Sequence, residues 1–239
     1  MTRILPSWRA FLAFLFLLGM GSCATLGLGS SAIRGGGDTG AVPPGHAAAA
    51  RAGWSPRTGD LVFRQSRSRQ AQAIELVTHS PWGHTGIVLL IDGEPIVLEA
   101  VEPVKLTPLE PWLAAARGGR WAVRRHEQAE TIFTPDLERE LIRAGRALLG
   151  THYDGRFEWS DRRLYCSELV WKLYARQAKV RLGEPQRYAD LDLSHPIVGR
   201  LIRERLGAEE RPKGKIVTPG GLFDAPGLRT VAASWKRDR

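Results

Sequence analysis

The sequence predicts an α+β fold in which a mainly antiparallel sheet packs against helices, and three observations support this fold class. Short β-favouring runs are clustered between helical segments without the regular β-α-β alternation of a parallel sheet. The dipeptide Asp92-Gly93 separates two of these runs and is typical of a two-residue hairpin turn. The chain of 239 residues is 43% hydrophobic and 25% charged, which is enough for one domain with extensions.

The extreme N-terminus has the pattern of an export signal. Within residues 1–22, Arg3 and Arg9 precede an apolar run and small residues follow it. That run is shorter than the roughly 20 apolar residues of a membrane-spanning helix. The ending GMGSC resembles the lipobox of bacterial lipoproteins, with Met20 where Leu is usual, and the resemblance implies that Cys23 carries a lipid. The alternative is ordinary signal cleavage, with Cys23 incidental.

Composition divides the rest of the chain into a tether, a folded domain and a tail. Residues 23–52 are rich in Gly, Ala and Pro, which predicts a flexible tether. We expect a folded domain over residues 53–226 and a basic tail over 227–239. With a lipid anchor, the protein would face the periplasm of a bacterial envelope, and Ala24 after the cysteine favours the outer membrane.

Local patterns predict the elements of the folded domain in order. The helix after Thr134 has the strongest signals, because Thr134 can cap it, Pro135 fits its first turn and Gly150 follows its end. The predicted elements are a strand at 61–63, a helix within 70–79, a hairpin over 84–101, a helix within 107–119, a strand within 120–127, helices at 135–149, 166–177 and 196–207, and a final strand or turn within 216–223.

The hairpin geometry brings two polar residues together. A two-residue turn pairs Ile91 with Glu94, so His84 and Glu99 become diagonal neighbours on one face. Glu99 could then bond one imidazole nitrogen and leave the other free as a base. A three-residue turn would reverse the parity and send Glu99 to the opposite face.

Cys166 has two interpretations. It stands near the start of a predicted helix, where backbone N–H groups favour a thiolate. It also lies on one apolar stripe with Leu169, Val170 and Leu173, as a buried core cysteine would. If Cys23 carries a lipid, Cys166 has no disulfide partner, since the chain contains two cysteines. Together with the geometry of His84, this favours a nucleophile.

Five motifs, in this order, resemble the permuted papain-like amidases of the NlpC type, the YiiX/YaeF-like group. The resemblance covers roughly residues 55 to 224 and implies a circularly permuted papain-like fold, in which the histidine strand precedes the nucleophile helix. The motifs are GDLVF at 59–63, GHTGIVL at 83–89, VLEAV at 97–101, YDGRFEW at 153–159 and YCSELVW at 165–171.

The resemblance also implies roles for single residues. Cys166 would be the nucleophile, His84 the base and Glu99 the polar third member of a triad. Tyr153 would contact the oxyanion or the substrate. The histidine motif of the family more often begins with Ser, and here it begins with Gly83.

Several other residues are candidates for the site. Trp82, beside His84, could line a substrate groove together with Gly83. Glu168 and Asp161 are alternative third members of the triad, although Glu168 is turned away around its helix.

A metal site is the weaker interpretation of the histidines. The best set combines His79, His84, His152 and Cys166, but its spacing matches no compact zinc signature, so we expect neither metal nor cofactor.

Three functions fit these features: an envelope cysteine amidase or endopeptidase acting on peptidoglycan peptides or small acylated amino acids, an enzyme that moves acyl groups of lipids, and a non-catalytic binding module. The net charge of +9 favours anionic envelope surfaces. No nucleic-acid-binding module accompanies the charge, so nucleic acid is not expected as a partner.

Overall fold

The computed structural model describes residues 53–207 and 212–235. The predicted signal peptide at 1–22 and the tether at 23–52, with the lipid attachment at Cys23, lie outside these ranges. No helix within them combines the length and hydropathy needed to cross a bilayer.

A six-stranded sheet forms the centre of the described chain. Every pairing in it is antiparallel, and the spatial order is β4-β3-β2-β1-β5-β8. A two-stranded ribbon, β6-β7, lies apart from it. The strands are Leu61–Arg64 (β1), His84–Ile91 (β2), Glu94–Glu99 (β3), Lys105–Pro108 (β4), Trp121–His126 (β5), Gln186–Arg187 (β6), Lys215–Ile216 (β7) and Leu228–Ala233 (β8).

Helices cover the sheet. The α-helices are Arg69–Thr78 (α1), Leu109–Ala114 (α2), Ala129–Ile132 (α3), Pro135–Ala147 (α4), Cys166–Leu173 (α5), Pro196–Leu206 (α6) and Pro219–Phe223 (α7). The predicted cap of α4 is confirmed, because the Thr134 side chain accepts a hydrogen bond from the Leu137 amide. The predicted α+β class, with a mainly antiparallel sheet, is confirmed.

The hairpin has the register that the sequence predicts. Asp92 and Gly93 have φ angles of 53° and 83°, which a two-residue turn of type I′ requires at both central positions. Ile91 pairs with Glu94, and the same register continues to Ile87 opposite Leu98. A three-residue turn is thereby excluded.

Alternating side chains give the sheet two apolar faces. Leu61 and Phe63 of β1 point into the larger core, to which α4 and α5 contribute. Val62 points the other way, into a core that contains Trp112 of α2. The helix α5 packs along β2. Its first residue, Cys166, interacts with His84 and Thr85, the first two residues of that strand.

Two predicted segments need correction. The expected tail at 227–239 is not a tail in its first half, because Leu228–Ala233 form β8 and pair with β5. The helix expected over 166–177 is α-helical only to Leu173 and continues as a π-helix over Tyr174–Ala178. The final strand or turn within 216–223 includes the end of β7 and the short helix α7.

Candidate active site

Cys166 is the first residue of α5 and is buried, with 2% of its surface exposed. Tyr165 caps the helix in an extended conformation, and its backbone N–H donates to the Glu168 carboxylate. The backbone N–H groups of Ser167 and Thr85 hydrogen bond to the Cys166 sulfur. These groups place partial positive charge around the sulfur and favour its thiolate form.

His84, at the start of β2, connects Cys166 with Glu99. Its Nε2 lies 2.7 Å from Oε2 of Glu99. The side chain of His84 also hydrogen bonds to Cys166. Since Nε2 is engaged by the carboxylate, Nδ1 is the nitrogen that remains for the sulfur. Cys166, His84 and Glu99 therefore form one hydrogen-bonded row, which we call the catalytic row.

Glu99, the last residue of β3, is 2% exposed and is held by several donors. The Thr107 hydroxyl donates to Oε1 at 2.6 Å, and the Trp112 indole N–H donates to Oε2 at 2.9 Å. The Arg64 guanidinium lies 3.6 Å from Oε2 and stacks over the Trp112 ring. The carboxylate is therefore fixed in position behind the imidazole.

The pKa values of the row favour an ion pair between sulfur and imidazole. Burial alone would lower the pKa of His84, but its bonds to Cys166 and Glu99 outweigh burial and raise the pKa to about 9. Burial would raise the pKa of Cys166, but the bond to His84 and the nearby charge lower it. Burial opposes ionisation of Glu99 too, yet its bonds to His84 and Thr107 lower the pKa to about 2.

Tyr153 lies beside this row. Its hydroxyl accepts a hydrogen bond of 2.6 Å from the Gln70 amide, and it lines a cleft with His84. Burial, reinforced by the charge at Cys166, raises the pKa of Tyr153 well above its usual value. The hydroxyl keeps its proton at neutral pH and can donate a hydrogen bond to a negatively charged oxygen.

The two residues predicted to line the substrate groove lie in different places. Gly83 lines the cleft with His84, where α1 comes so close that a Cβ on Gly83 would lie 2.8 Å from the Cβ of Ala71. Trp82 does not line this cleft. Its side chain is 2% exposed and packs in the core against Phe63, Phe223 and Trp235, whose ring centroids lie between 4.9 and 6.1 Å away.

The alternative third members point elsewhere. The Lys172 ammonium lies 2.7 Å from Glu168 and 2.8 Å from Asp161, so both carboxylates belong to an ion cluster along α5. His152 is exposed and pairs with Glu102 at 2.7 Å.

Sequence reasoning missed three residues around Glu99: Arg64, Thr107 and Trp112. They come from three different elements, and no spacing in the sequence links them to residue 99. The one available signal was chemical, because a buried Trp indole N–H usually has a hydrogen-bond partner.

Comparison with known proteins identifies the class and then the family. The fold is that of a permuted papain-like protein, with the histidine strand ahead of the cysteine helix. A family model described as "Permuted papain-like amidase enzyme, YaeF/YiiX, C92 family" matches residues 55–232. The chain belongs to this family of permuted papain-like amidases.

Two relatives are similar over most of their length. The chain is 42% identical over 182 residues to the uncharacterized protein YiiX of Escherichia coli K12, covering 76% of this chain and 89% of YiiX. A crystal structure of yiiX from Escherichia coli O157:H7 superposes with a TM-score of 0.71 at 43% identity, covering 77% of this chain and all of that one.

That crystal structure is described as one of a metalloprotein. Within residues 53–207 and 212–235 of the present chain, no group of three or more His, Cys, Asp and Glu side chains could hold a metal ion.

Proposed function

We propose that this protein is a cysteine amidase that hydrolyses its substrate through a thioester on Cys166. The observation that carries the proposal is the catalytic row, in which a buried thiol, an imidazole and a fixed carboxylate are hydrogen bonded in sequence. A core cysteine needs neither a basic partner nor a carboxylate behind that partner. Membership of an amidase family supports the choice of amide over other acyl compounds.

The proposed acylation step starts from the ion pair. The Cys166 thiolate attacks the amide carbon, and a C–S bond forms as the carbonyl oxygen becomes an oxyanion. The Tyr153 hydroxyl and the Cys166 backbone N–H donate to this oxygen. When the tetrahedral intermediate collapses, the C–N bond breaks and the His84 imidazolium gives its proton to the leaving amine.

Deacylation reverses the roles. Neutral His84 takes a proton from water, the resulting hydroxide attacks the thioester carbon, and the C–S bond breaks to release a carboxylic acid and the thiolate. Glu99 keeps Nε2–H of His84 oriented and stabilises each imidazolium that forms.

The substrate in the envelope is part of the same proposal. The N-terminal segment supports export and lipid attachment at Cys23, and the basic charge supports a location near anionic surfaces. Peptidoglycan peptides and small acylated amino acids are the candidate amides. Loss of labelling by a fatty-acid analogue in Cys23→Ser would test the anchor.

The test of the catalytic row uses an activated acyl ester and intact-protein mass spectrometry. We expect an acyl adduct on Cys166, none in Cys166→Ala, and adduct formation on the order of 10² slower or worse in His84→Ala. His126→Ala, at the end of β5, is the matched control and should behave as wild type. Product analysis of acylated amino acids and muropeptides then identifies the amide. An adduct rate indifferent to His84→Ala would exclude the enzyme and leave a binding module.

A further inference from the structure

A second row of hydrogen bonds reaches the candidate site from the side of the helix α1. Gln70, in the first turn of α1, donates from its amide Nε2 to the hydroxyl oxygen of Tyr153 at 2.6 Å. Oε1 of the same side chain accepts from the guanidinium of Arg205 in α6 at 3.2 Å. Arg205, Gln70 and Tyr153 therefore form a hydrogen-bonded row, which we call the tyrosine row.

Arg205 fixes the direction of the hydrogen bonds in this row. A guanidinium has donors only, so the atom of Gln70 that faces it must be the amide oxygen. The amide nitrogen then faces Tyr153, and it can only donate to the phenol oxygen. Without Arg205, the amide could rotate by half a turn and accept the phenol proton instead. The charge of Arg205 makes this alternative unfavourable.

The surrounding backbone holds both partners of the tyrosine in place. Nη1 of Arg205 lies so close to Gly155 that a Cβ on this glycine would be 2.5 Å from it. The helix α6, which carries Arg205, packs against α1, which carries Gln70. The start of α1 is fixed by Ser68, whose hydroxyl accepts from the Ala71 amide at 3.1 Å. The amide group of Gln70 is therefore oriented before a substrate binds.

The tyrosine row leaves the proton of the Tyr153 hydroxyl available. Within the described residues, the bond from Gln70 is the one hydrogen bond that this hydroxyl makes, and the hydroxyl is the acceptor in it. The phenol proton can therefore be donated into the cleft that Tyr153 and His84 line. A donor to the phenol oxygen also polarises the O–H group, which strengthens the hydrogen bond that the group donates in turn.

We infer that Gln70 is a positioning residue for the proposed reaction: together with Arg205, it holds the Tyr153 hydroxyl with its proton directed at the oxyanion. Gln70 acts through Tyr153 and not on the reacting atoms. This inference rests on the proposed function, and it specifies how one of the two oxyanion donors is oriented.

The test replaces Gln70 by residues that reverse or remove its hydrogen bond to Tyr153, and measures kcat/KM for p-nitrophenyl acetate. In Gln70→Glu, the carboxylate keeps the shape of the amide but can only accept, so it should turn the phenol proton away from the oxyanion. We expect a loss on the order of 10², close to that of Tyr153→Phe, because an oxyanion donor is lost in both. Gln70→Leu, which only removes the bond, should lose roughly two- to twelvefold.

A double-mutant cycle distinguishes positioning from a general structural effect. Added to Tyr153→Phe, Gln70→Glu should lower kcat/KM by less than about twofold, because no phenol proton remains to be turned. An equal loss with and without the phenol would overturn the inference. Gln72→Glu is the matched control on the same helix, since the Gln72 amide donates to the Arg67 carbonyl at 3.2 Å, and it should behave as wild type.

Arg205 provides a second, independent set of variants. Arg205→Met removes the charge that orients the Gln70 amide, and kcat/KM should fall by roughly two- to twelvefold. This loss should also disappear in the Tyr153→Phe background. Arg205→Lys keeps a charged donor and should restore most of the activity. A lysine variant as impaired as the methionine variant would overturn the part assigned to Arg205.

The outcomes separate this inference from the proposed function. If Tyr153→Phe is impaired and Gln70→Glu is not, the inference is wrong and the amidase stands. If no adduct forms on Cys166, both are wrong. Thermal melting shows whether Gln70→Glu is folded, and if it is not, Gln70→Leu and Arg205→Met in the same cycle decide the result.

Discussion

Two buried carboxylates, at the ends of two strands of the same sheet, show how similar surroundings serve different purposes. Asp60 directly precedes β1, and Glu99 ends β3, and each accepts a hydrogen bond from a tryptophan indole. Asp60 is also bonded by Nε and Nη2 of Arg125, at 2.6 and 2.7 Å. At Glu99 the closest nitrogen base is instead the imidazole of His84.

The difference lies in what the partner can do. The guanidinium of Arg125 keeps its charge at any ordinary pH, so the Asp60 pair can only join segments of the fold. An imidazole can lose and regain a proton near neutral pH. Because His84 also bonds to Cys166, the Glu99 carboxylate can influence a reaction. A buried acid is therefore assigned a role by the chemistry of its partner more than by its burial.

Among the substitutions that bear on this comparison of two carboxylates, Glu99→Gln should have the largest effect. The amide keeps the shape of the carboxylate but removes the charge that stabilises the His84 imidazolium and selects its tautomer. We expect kcat/KM to fall on the order of 10³, with the melting temperature changed much less. If the variant keeps a tenth or more of wild-type activity, the proposed role of Glu99 in the reaction is wrong.

Asp60→Asn should show the opposite pattern. Arg125 would remain buried without its charged partner, and the free energy of unfolding should fall by about 3 kcal/mol. Denaturant unfolding measures this loss. Acylation at a temperature where the variant is folded should stay within a few-fold of wild type, and a selective loss of activity would contradict the proposed division of roles.

The pH dependence of acylation provides a second test of the difference between Glu99 and Asp60. The active form carries a thiolate on Cys166 and a proton on His84. Since the pKa of His84 is raised to about 9, activity should be retained up to that pH and lost as the imidazolium gives up its proton above it. Toward low pH, activity should fall as the Cys166 thiolate takes up a proton. Because the pKa of Cys166 is lowered, this loss should occur at a pH below the usual thiol pKa.

The same profile distinguishes the two acids. In Glu99→Gln the alkaline limit should shift to lower pH, because the imidazolium loses its anionic partner. In Asp60→Asn the limit should not move. Equal shifts in both variants would show that neither carboxylate acts specifically on His84.

The smallest effect is expected for Thr107→Val, which removes one of the hydrogen bonds to Glu99. One hydrogen bond contributes about 0.5–1.5 kcal/mol, so kcat/KM should fall by roughly two- to twelvefold. Thr230→Val in β8, where the hydroxyl bonds to Arg124, is the control and should leave kcat/KM unchanged.

The sequence predicted the parts of the site that depend on local geometry. The turn at Asp92-Gly93 fixes the hairpin register, and this register brings His84 and Glu99 within 2.7 Å. The helix start at Cys166 was also readable from its pattern. Each of these depends on contacts within one strand pair or one helix turn, which spacing alone specifies.

What the sequence could not predict depends on contacts between distant segments. A pocket lined by apolar side chains of α1 and α6, such as Val77 and Ile202, exists because these two helices lie against each other, although more than a hundred residues separate them. Trp82 is one residue from the cleft-lining Gly83, yet it packs in the core on Phe63 and Phe223, and no local pattern indicates this direction. The sequence predicts a tail where β8 forms, because the partner strand β5 lies about a hundred residues earlier in the chain.

The pairing of β8 with β5 has a consequence for the folding of the sheet. Until residues Leu228–Ala233 have been made and have paired, β5 is an edge strand of the sheet, and the backbone N–H and C=O groups of Trp121–His126 that face away from β1 have no strand partner. Unpaired edge strands of this kind can pair with strands of other molecules. A version shortened before residue 228 should therefore self-associate even though its catalytic row is intact in sequence.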